Sequence, residues 1–260
     1  MKYNIIGSGS CVPNSNRNSS GAILEAGGKI ILVDCGTGIL HNIPQTKYDY
    51  TSIDIVCITH LHLDHINDFG ALLFAYRNDP ECNRMKDLQI IGPVGFKNYY
   101  KCLKKMYGDT IKPKNYKITI SESEHSSYDI NNIKIKTYKT YHTEESIGFR
   151  FEYEDRILAV SGDTGYQENI IELSKRASLA IMECSFPDKY NFDYHLTPST
   201  AGKIAEKAGV KRLILTHLYP VAEKHQLIKQ CKKHFSGKVE IAKNYKPYIV
   251  TSSRDDRIYP

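Results

Sequence analysis

Nothing in the sequence approaches the roughly 20 consecutive apolar residues that a membrane-spanning helix requires. The opening Met1-Lys2-Tyr3-Asn4-Ile5-Ile6-Gly7 runs into glycines too soon to read as a secretory leader. Both absences predict a cytoplasmic protein with no membrane partner. There is no Cys-x-x-Cys pair among the seven cysteines (Cys11, Cys35, Cys57, Cys82, Cys102, Cys184 and Cys231), and several lie inside apolar runs. That pattern speaks against a disulfide scaffold and predicts reduced, mostly buried thiols. Tryptophan is absent, and so are low-complexity tracts and short repeats. No full dinucleotide spacing and no Lys-Ser/Thr follow Gly7-Ser8-Gly9, so a phosphate-cradling loop is a weak reading there. The net charge of +6 is spread along the chain, which mildly favours anionic partners without marking a nucleic-acid surface.

What is present organises itself around Thr59-His60-Leu61-His62-Leu63-Asp64-His65. The preceding run Ile53-Asp54-Ile55-Val56-Cys57-Ile58 is apolar without clean alternation, as in a parallel strand covered on both faces. Side-chain direction repeats every second residue in extended chain, so His60 and His62 point the same way. Asp64 and His65 follow where the chain turns into a helix over about 66–77, and they face a neighbouring point. Two adjacent ligand pairs suit two adjacent metal ions, which together activate water at neutral pH.

The rest of the chain supplies partners at the ends of predicted strands. Strands are expected at 3–6, 21–25, 29–34, 53–58, 88–91, 147–153, 156–161, 179–183 and 212–216. Further strands are expected within 115–141, interrupted by the polar segment 121–129. Helices are expected near 38–44, 94–107, 167–175, 198–208 and 221–235, the fourth of them opening on Pro198. Strand ends then deliver His142, Asp163 and His217, with His195 close to the last of them in sequence. Imidazole with carboxylate favours zinc, with manganese or iron as alternatives, and Asp163 is the natural bridging carboxylate. His41, His125, His225 and His234 have no such context and read as surface residues. The expected fold class is α/β, a single domain over residues 1–260 made of two packed sheets flanked by helices.

These residues resemble the metallo-β-lactamase superfamily, and within it the ribonuclease Z-like phosphodiesterases. The resemblance runs essentially the full length, through Gly7-Ser8-Gly9-Ser10 with Pro13, Asp34-Cys35-Gly36, His60 to His65, His142, Ser161-Gly162-Asp163-Thr164, His195-Leu196-Thr197 and Leu215-Thr216-His217. It implies the four-layer αββα metallo-β-lactamase sandwich and two Zn²⁺ per chain. One ion would take His60, His62 and His142, the other Asp64, His65 and His217, with Asp163 between them. Asp64 and His195 are the catalytic residues it implies, His195 as a non-ligand proton donor within a His-x-Thr motif. Thr197 of the same motif is the implied substrate contact; apart from the resemblance, Tyr141, Tyr166, Tyr194 and Tyr219 lie beside ligand positions, and Tyr219 is the candidate for stacking on a base. β-Lactamases proper resemble this pattern less at Asp163, where they typically carry cysteine.

Transfer-RNA-processing members of the family hold their substrate with a long arm inserted between the ligands that match His142 and Asp163. Here only residues 143–162 separate the two, enough for a tight hairpin. The chain therefore looks like the small cyclic phosphodiesterases, such as the phage enzymes that destroy cyclic CMP and cyclic UMP signals. The resemblance implies hydrolysis of 3′,5′-cyclic nucleotides or another small phosphodiester, a homodimer to which segments 77–87 and 121–129 contribute, and no stable RNA binding. A tRNA 3′-processing endoribonuclease and a thioester or lactone hydrolase are the alternatives.

Overall fold

The computed structural model describes residues 1–190 and 192–252. Fourteen strands are described: β1 (Lys2–Gly7), β2 (Gly21–Ala26), β3 (Lys29–Cys35), β4 (Ile55–Cys57), β5 (Leu88–Gly92), β6 (Ile118–Glu122), β7 (Ser127–Ile130), β8 (Ile133–Lys139), β9 (Ile147–Tyr153), β10 (Arg156–Val160), β11 (Leu179–Glu183), β12 (Arg212–Thr216), β13 (Lys238–Ile241) and β14 (Pro247–Ile249). They form two seven-stranded sheets, ordered β14-β1-β2-β3-β4-β5-β6 and β13-β12-β11-β10-β9-β8-β7. Each sheet is mixed in the same way. In the first, β1, β2 and β3 pair antiparallel, and β3 through β6 run parallel. In the second, β7 to β10 are antiparallel and β10 to β13 parallel.

The period-2 geometry of a strand explains the layering. Ile31, Val33, Ile55 and Cys57 point into a core shared with Phe149, Phe151, Leu158 and Ile181 of the other sheet. The residues between them, Leu32 and Val56, face outward onto Ile39, Phe69, Leu72 and Phe96. In the second sheet, Ala180, Met182, Leu213 and Leu215 likewise face outward onto Ile170, Ile204, Ala205 and Leu227. Helices α1 (Ile39–Asn42), α2 (Leu63–Ile66), α3 (Asp68–Asn78) and α4 (Phe96–Tyr107) belong to the first half. Helices α5 (Glu168–Ser174), α6 (Pro198–Ala208) and α7 (Leu227–Cys231) belong to the second. Strands covered on both faces need apolar residues at every position, which is why the runs leading to His60 and His217 lack alternation. No helix of the described residues is long and apolar enough to cross a membrane.

Three elements differ from expectation. The helix expected over 66–77 is two, and Asp64 and His65 lie inside the short first one. The polar segment 121–129 is largely strand: β6 ends at Glu122 and β7 starts at Ser127, with the chain crossing between sheets at 123–126. Both strands are sheet edges, where polar side chains meet water and periodicity loses its apolar half. The helix expected over 221–235 shrinks to a 3₁₀ turn, Ala222–Lys224, and α7.

Candidate metal centre

The parallel strands of both sheets open toward one end of the sandwich, and the polar cluster sits there. Extended chain after β4 carries His60 and His62, and α2 carries Asp64 and His65. The loops after β8, β10 and β12 bring His142, Asp163 and His217. Two groups form. His60 Nε2 and His142 Nε2 each lie 3.1 Å from His62 Nδ1. His217 Nε2 lies 3.2 Å from both His65 Nε2 and Asp64 Oδ2. Asp163 sits between the groups. Its Oδ2 is 3.9 Å from His60 Nε2, 3.7 Å from His142 Nε2 and 3.4 Å from His217 Nε2, while its Oδ1 is 3.5 Å from His65 Nε2. Each group draws residues from both halves of the chain.

The donor chemistry fits divalent cations. His142 Nδ1 lies 3.1 Å from the Tyr194 carbonyl oxygen, which can only accept, so this nitrogen carries the proton and Nε2 the lone pair. His65 Nδ1 lies 2.8 Å from Asp34 Oδ2, and His60 Nδ1 lies 3.1 Å from the Thr59 hydroxyl. The outer nitrogens are thus engaged, and the inner ones converge lone pair to lone pair, an arrangement that favours a shared cation. Burial, reinforced by the neighbouring His65, holds the His60 pKa well below the ordinary imidazole value. Burial also lowers that of His142. Both shifts favour the neutral ring that ligation requires, while at His65 burial is outweighed by the Asp163 and Asp34 carboxylates, which hold its pKa well above the ordinary value. Asp163 is buried and its Oδ1 has no hydrogen-bond partner. Burial alone would raise its pKa, but the His217 and His65 rings hold it well below the usual carboxylate range. A buried carboxylate oxygen left unpaired is costly without a counter-charge.

The backbone is bent to build this cluster. Asp34 and His217 both adopt left-handed conformations, with φ of 57° and 55°. Such conformations in residues other than glycine cost about 1–3 kcal/mol and gather at functional sites. Gly36 is required by a close approach: a Cβ there would meet the Asp64 carbonyl oxygen at 1.9 Å. That carbonyl accepts from Ser20 N at 3.0 Å, and Gly36 N donates to the Ser20 carbonyl at 2.9 Å, which locks the start of α2 to the end of β3.

His195 stands beside the cluster, its ring 4.8 Å from that of His142 and 6.1 Å from that of His217, nearly parallel to the latter. It has a partner that sequence reasoning passed over. Glu183, at the end of β11 and 1 % exposed, places Oε1 2.9 Å from His195 Nδ1. Burial opposes the charge on the ring, yet the Glu183 carboxylate raises the His195 pKa to about 9. Asp34, legible in the sequence only as part of Asp34-Cys35-Gly36, likewise holds a candidate ligand, His65. Each is an acid closing an apolar strand, a signal as legible as the histidines that follow such strands.

Thr197 caps α6: its hydroxyl accepts from Thr200 N at 3.4 Å, and Thr197 N donates to Thr200 Oγ1 at 2.7 Å. Its hydroxyl is engaged locally, and it fixes the helix start two residues after His195. Tyr219 is half-buried, stacked on Phe186 at 4.6 Å between ring centres, with its edge toward His195 and His217. Tyr141 and Tyr194, each next to a cluster histidine in sequence, pair at 5.0 Å and are exposed. Among the described residues, no group able to hold a metal includes His41, His125, His225 or His234. All seven cysteines are free thiols.

A family model described as Anti-Pycsar protein Apyc1 matches residues 1–235. Ribonuclease Z of Mycobacterium marinum is 27% identical over 274 residues, spanning 93% of this chain and 95% of that protein. The probable metallo-hydrolase YhfI of Bacillus subtilis is 28% identical over 260 residues, spanning 94% and 98%. The crystal structure of YhfI, a metallo-β-lactamase fold protein, superposes with a TM-score of 0.81 over 95% of this chain and 98% of that one, at 28% identity. The short form of human tRNase Z superposes with a TM-score of 0.76 over 96% and 100%, at 21% identity, a likeness of fold.

Proposed function

Because the chain belongs to the Anti-Pycsar protein Apyc1 family and is a metal-dependent hydrolase of the metallo-β-lactamase fold, we propose that it opens 3′,5′-cyclic nucleotides to 5′-monophosphates. A phage enzyme of that activity would remove an immune signal of the cyclic CMP or cyclic UMP type. The observation that carries this reading is His195 held on Glu183 beside the candidate metal centre. Opening a cyclic phosphodiester expels a ribose alkoxide, a poor leaving group at neutral pH that needs a proton.

His60, His62 and His142 would hold one divalent ion, and Asp64, His65 and His217 the second, with Asp163 shared between them. Zinc suits this donor set, and manganese or iron are its alternatives. Bound there, the ions would supply activation of water and neutralise charge on the phosphate. The remaining work falls to side chains. His195 donates its Nε2 proton to the leaving oxygen, Glu183 holds the ring through Nδ1 and favours its imidazolium form, and Asp64 and Asp163 balance the charge of the centre. Thr197 acts as a positioning residue through its helix cap. Tyr219 and Phe186 form an aromatic wall against which a base would stack, a contact worth about 1–3 kcal/mol and tolerant of base identity.

The cluster's spacing supports a small substrate. Between His142 and Asp163 the chain is spent on the Thr143–Ser146 turn, β9, the turn at Glu154 and Asp155, and β10. No length remains for an RNA-holding arm. Similarity to ribonuclease Z along 93% of the chain favours a second reading, tRNA 3′ processing. A homodimer in the cytoplasm completes the proposal. Purified protein should be tested on cyclic mononucleotides, cyclic dinucleotides and precursor tRNA. Release of 5′-monophosphates supports the first reading, and position-specific RNA cleavage with inert cyclic nucleotides supports the second.

A further inference from the structure

Ser185 lies two residues beyond Glu183 and is fully buried. Its Oγ is 2.6 Å from Glu183 Oε2, 3.0 Å from His217 Nδ1 and 3.2 Å from His195 Nδ1. A serine hydroxyl has one proton and two lone pairs. The shortest of the three contacts runs to a carboxylate that can only accept, and its length is that of a charge-assisted bond. The proton is therefore given to Glu183. What remains on Oγ accepts, so the His217 contact is a donation from His217 Nδ1. That fixes the tautomer: His217 carries its proton on the outer nitrogen and presents a bare Nε2 to Asp64, His65 and Asp163.

The same carboxylate holds His195 Nδ1 and accepts from Thr164 N at 2.7 Å, directly after Asp163. Glu183 N in turn donates to Ser161 Oγ at 3.1 Å. One buried Glu183–Ser185 pair thus touches the proposed proton donor, a candidate metal ligand and the turn that carries the bridging aspartate. The opposite half has a counterpart. Thr59 Oγ1 lies 3.0 Å from Asp34 Oδ2 and 3.1 Å from His60 Nδ1, and Asp34 holds His65 Nδ1. There every histidine that the acid and hydroxyl touch is a candidate ligand. Only on the Glu183 side is a ring without a ligand role attached to the pair.

We infer that Ser185 is a positioning residue that ties the proton donor to the metal centre, setting the His217 tautomer with its hydroxyl and registering His195 through Glu183. The inference rests on the metal centre and acid described under the proposed function. It requires that the Asp64–His65–His217 position depend on Ser185 and that the His60–His62–His142 position not do so. Partners in the shell around ligands typically change metal affinity by about 10–100-fold.

The test uses the full-length protein and zinc alone, with no substrate. In competition against a chromophoric chelator, Ser185→Ala should weaken one of two zinc positions by about 10–100-fold and leave the other as in the wild type. Ser185→Thr, which keeps a hydroxyl, should recover most of that loss. Unchanged affinity at both positions in Ser185→Ala would overturn the inference. Should Ser185→Ala not fold, ¹⁵N-histidine NMR of the zinc-loaded wild type decides. His217, identified by its loss in His217→Gln, is expected with a protonated Nδ1 and a ligating Nε2, and the opposite tautomer would overturn the inference. Inactivity on cyclic nucleotides would count against the proposed substrate and leave both zinc readouts intact.

Discussion

His195 Nδ1 and Glu183 Oε1 are 2.9 Å apart in a pocket where the carboxylate is 1 % exposed. This pair sets the direction of a pH response. The ring is an imidazolium below its raised pKa of about 9, so the donor form prevails at neutral pH and is lost as pH rises through that value. Divalent ions bound alongside would draw this limb toward lower pH. Removing the carboxylate in Glu183→Gln takes away the main cause of the shift, and the basic limb of kcat/KM should move to lower pH. A pH–rate profile of the two proteins on a cyclic nucleotide checks this, and coincident basic limbs would refute it.

His195→Ala should lose roughly 10²-fold or more in turnover of a cyclic nucleotide while keeping its metal content and fold. An activated aryl phosphodiester, whose leaving group needs little protonation, should be affected far less. Steady-state rates on both substrates, with elemental analysis of the same preparations, give the answer. Equal losses on the two substrates would remove the acid role.

Wild-type protein purified without chelator should carry about two metal equivalents per chain, as paired ligand sets with a shared carboxylate require. Asp163→Ala should lose metal together with activity, in contrast to His195→Ala. Full activity after exhaustive chelation would end the metal-centred reading.

Gly36→Ala places a methyl group against the Asp64 carbonyl. Overpacking of this kind costs about 1–3 kcal/mol, and here it pushes on the helix that presents Asp64 and His65. Lower thermal stability with weaker zinc binding is expected by calorimetry and chelator competition. Wild-type values for both would show that the junction yields freely.

Precursor tRNA should remain uncut, or be cut only marginally, at enzyme concentrations that turn over cyclic nucleotides readily. Denaturing gels of the RNA provide the measurement. Efficient cleavage at the 3′ processing position would show that the short His142–Asp163 hairpin is no obstacle.

The candidate site was legible because its chemistry is concentrated where apolar runs stop. His60, His62 and His217 each follow such a run, long and unbroken because the parallel strand is buried on both faces, whereas His142 follows the alternating antiparallel β8. Asp34 and Glu183 escaped a role although they close runs of the same kind, because acids at strand ends are common and their partners lie far away in sequence. The contact of Glu183 with His195 crosses a loop, and that of Asp34 with His65 crosses a sheet and a helix. Edge strands β6 and β7 were obscured for another reason: one face of each meets solvent, so their composition matches that of a loop. Thr197 also caps α6, a role its place in the motif did not announce, since a threonine before proline satisfies helix-start geometry as readily as it meets a ligand.

The antiparallel pairing of β14 with β1, Lys2 opposite Ile249, also governs the order in which the molecule can be assembled. During synthesis β1 emerges early and finds β2 at once, but its other edge has no partner until residues 247–249 have left the ribosome. Through that interval the first half presents a bare strand edge together with an apolar inner face, the conditions under which nascent chains pair with one another. Loop-closure cost rises only slowly with length, so the final pairing costs little in stability. Its weight falls on timing, which makes the closing strand a point where truncation or slow translation would send chains toward aggregation before the two halves meet.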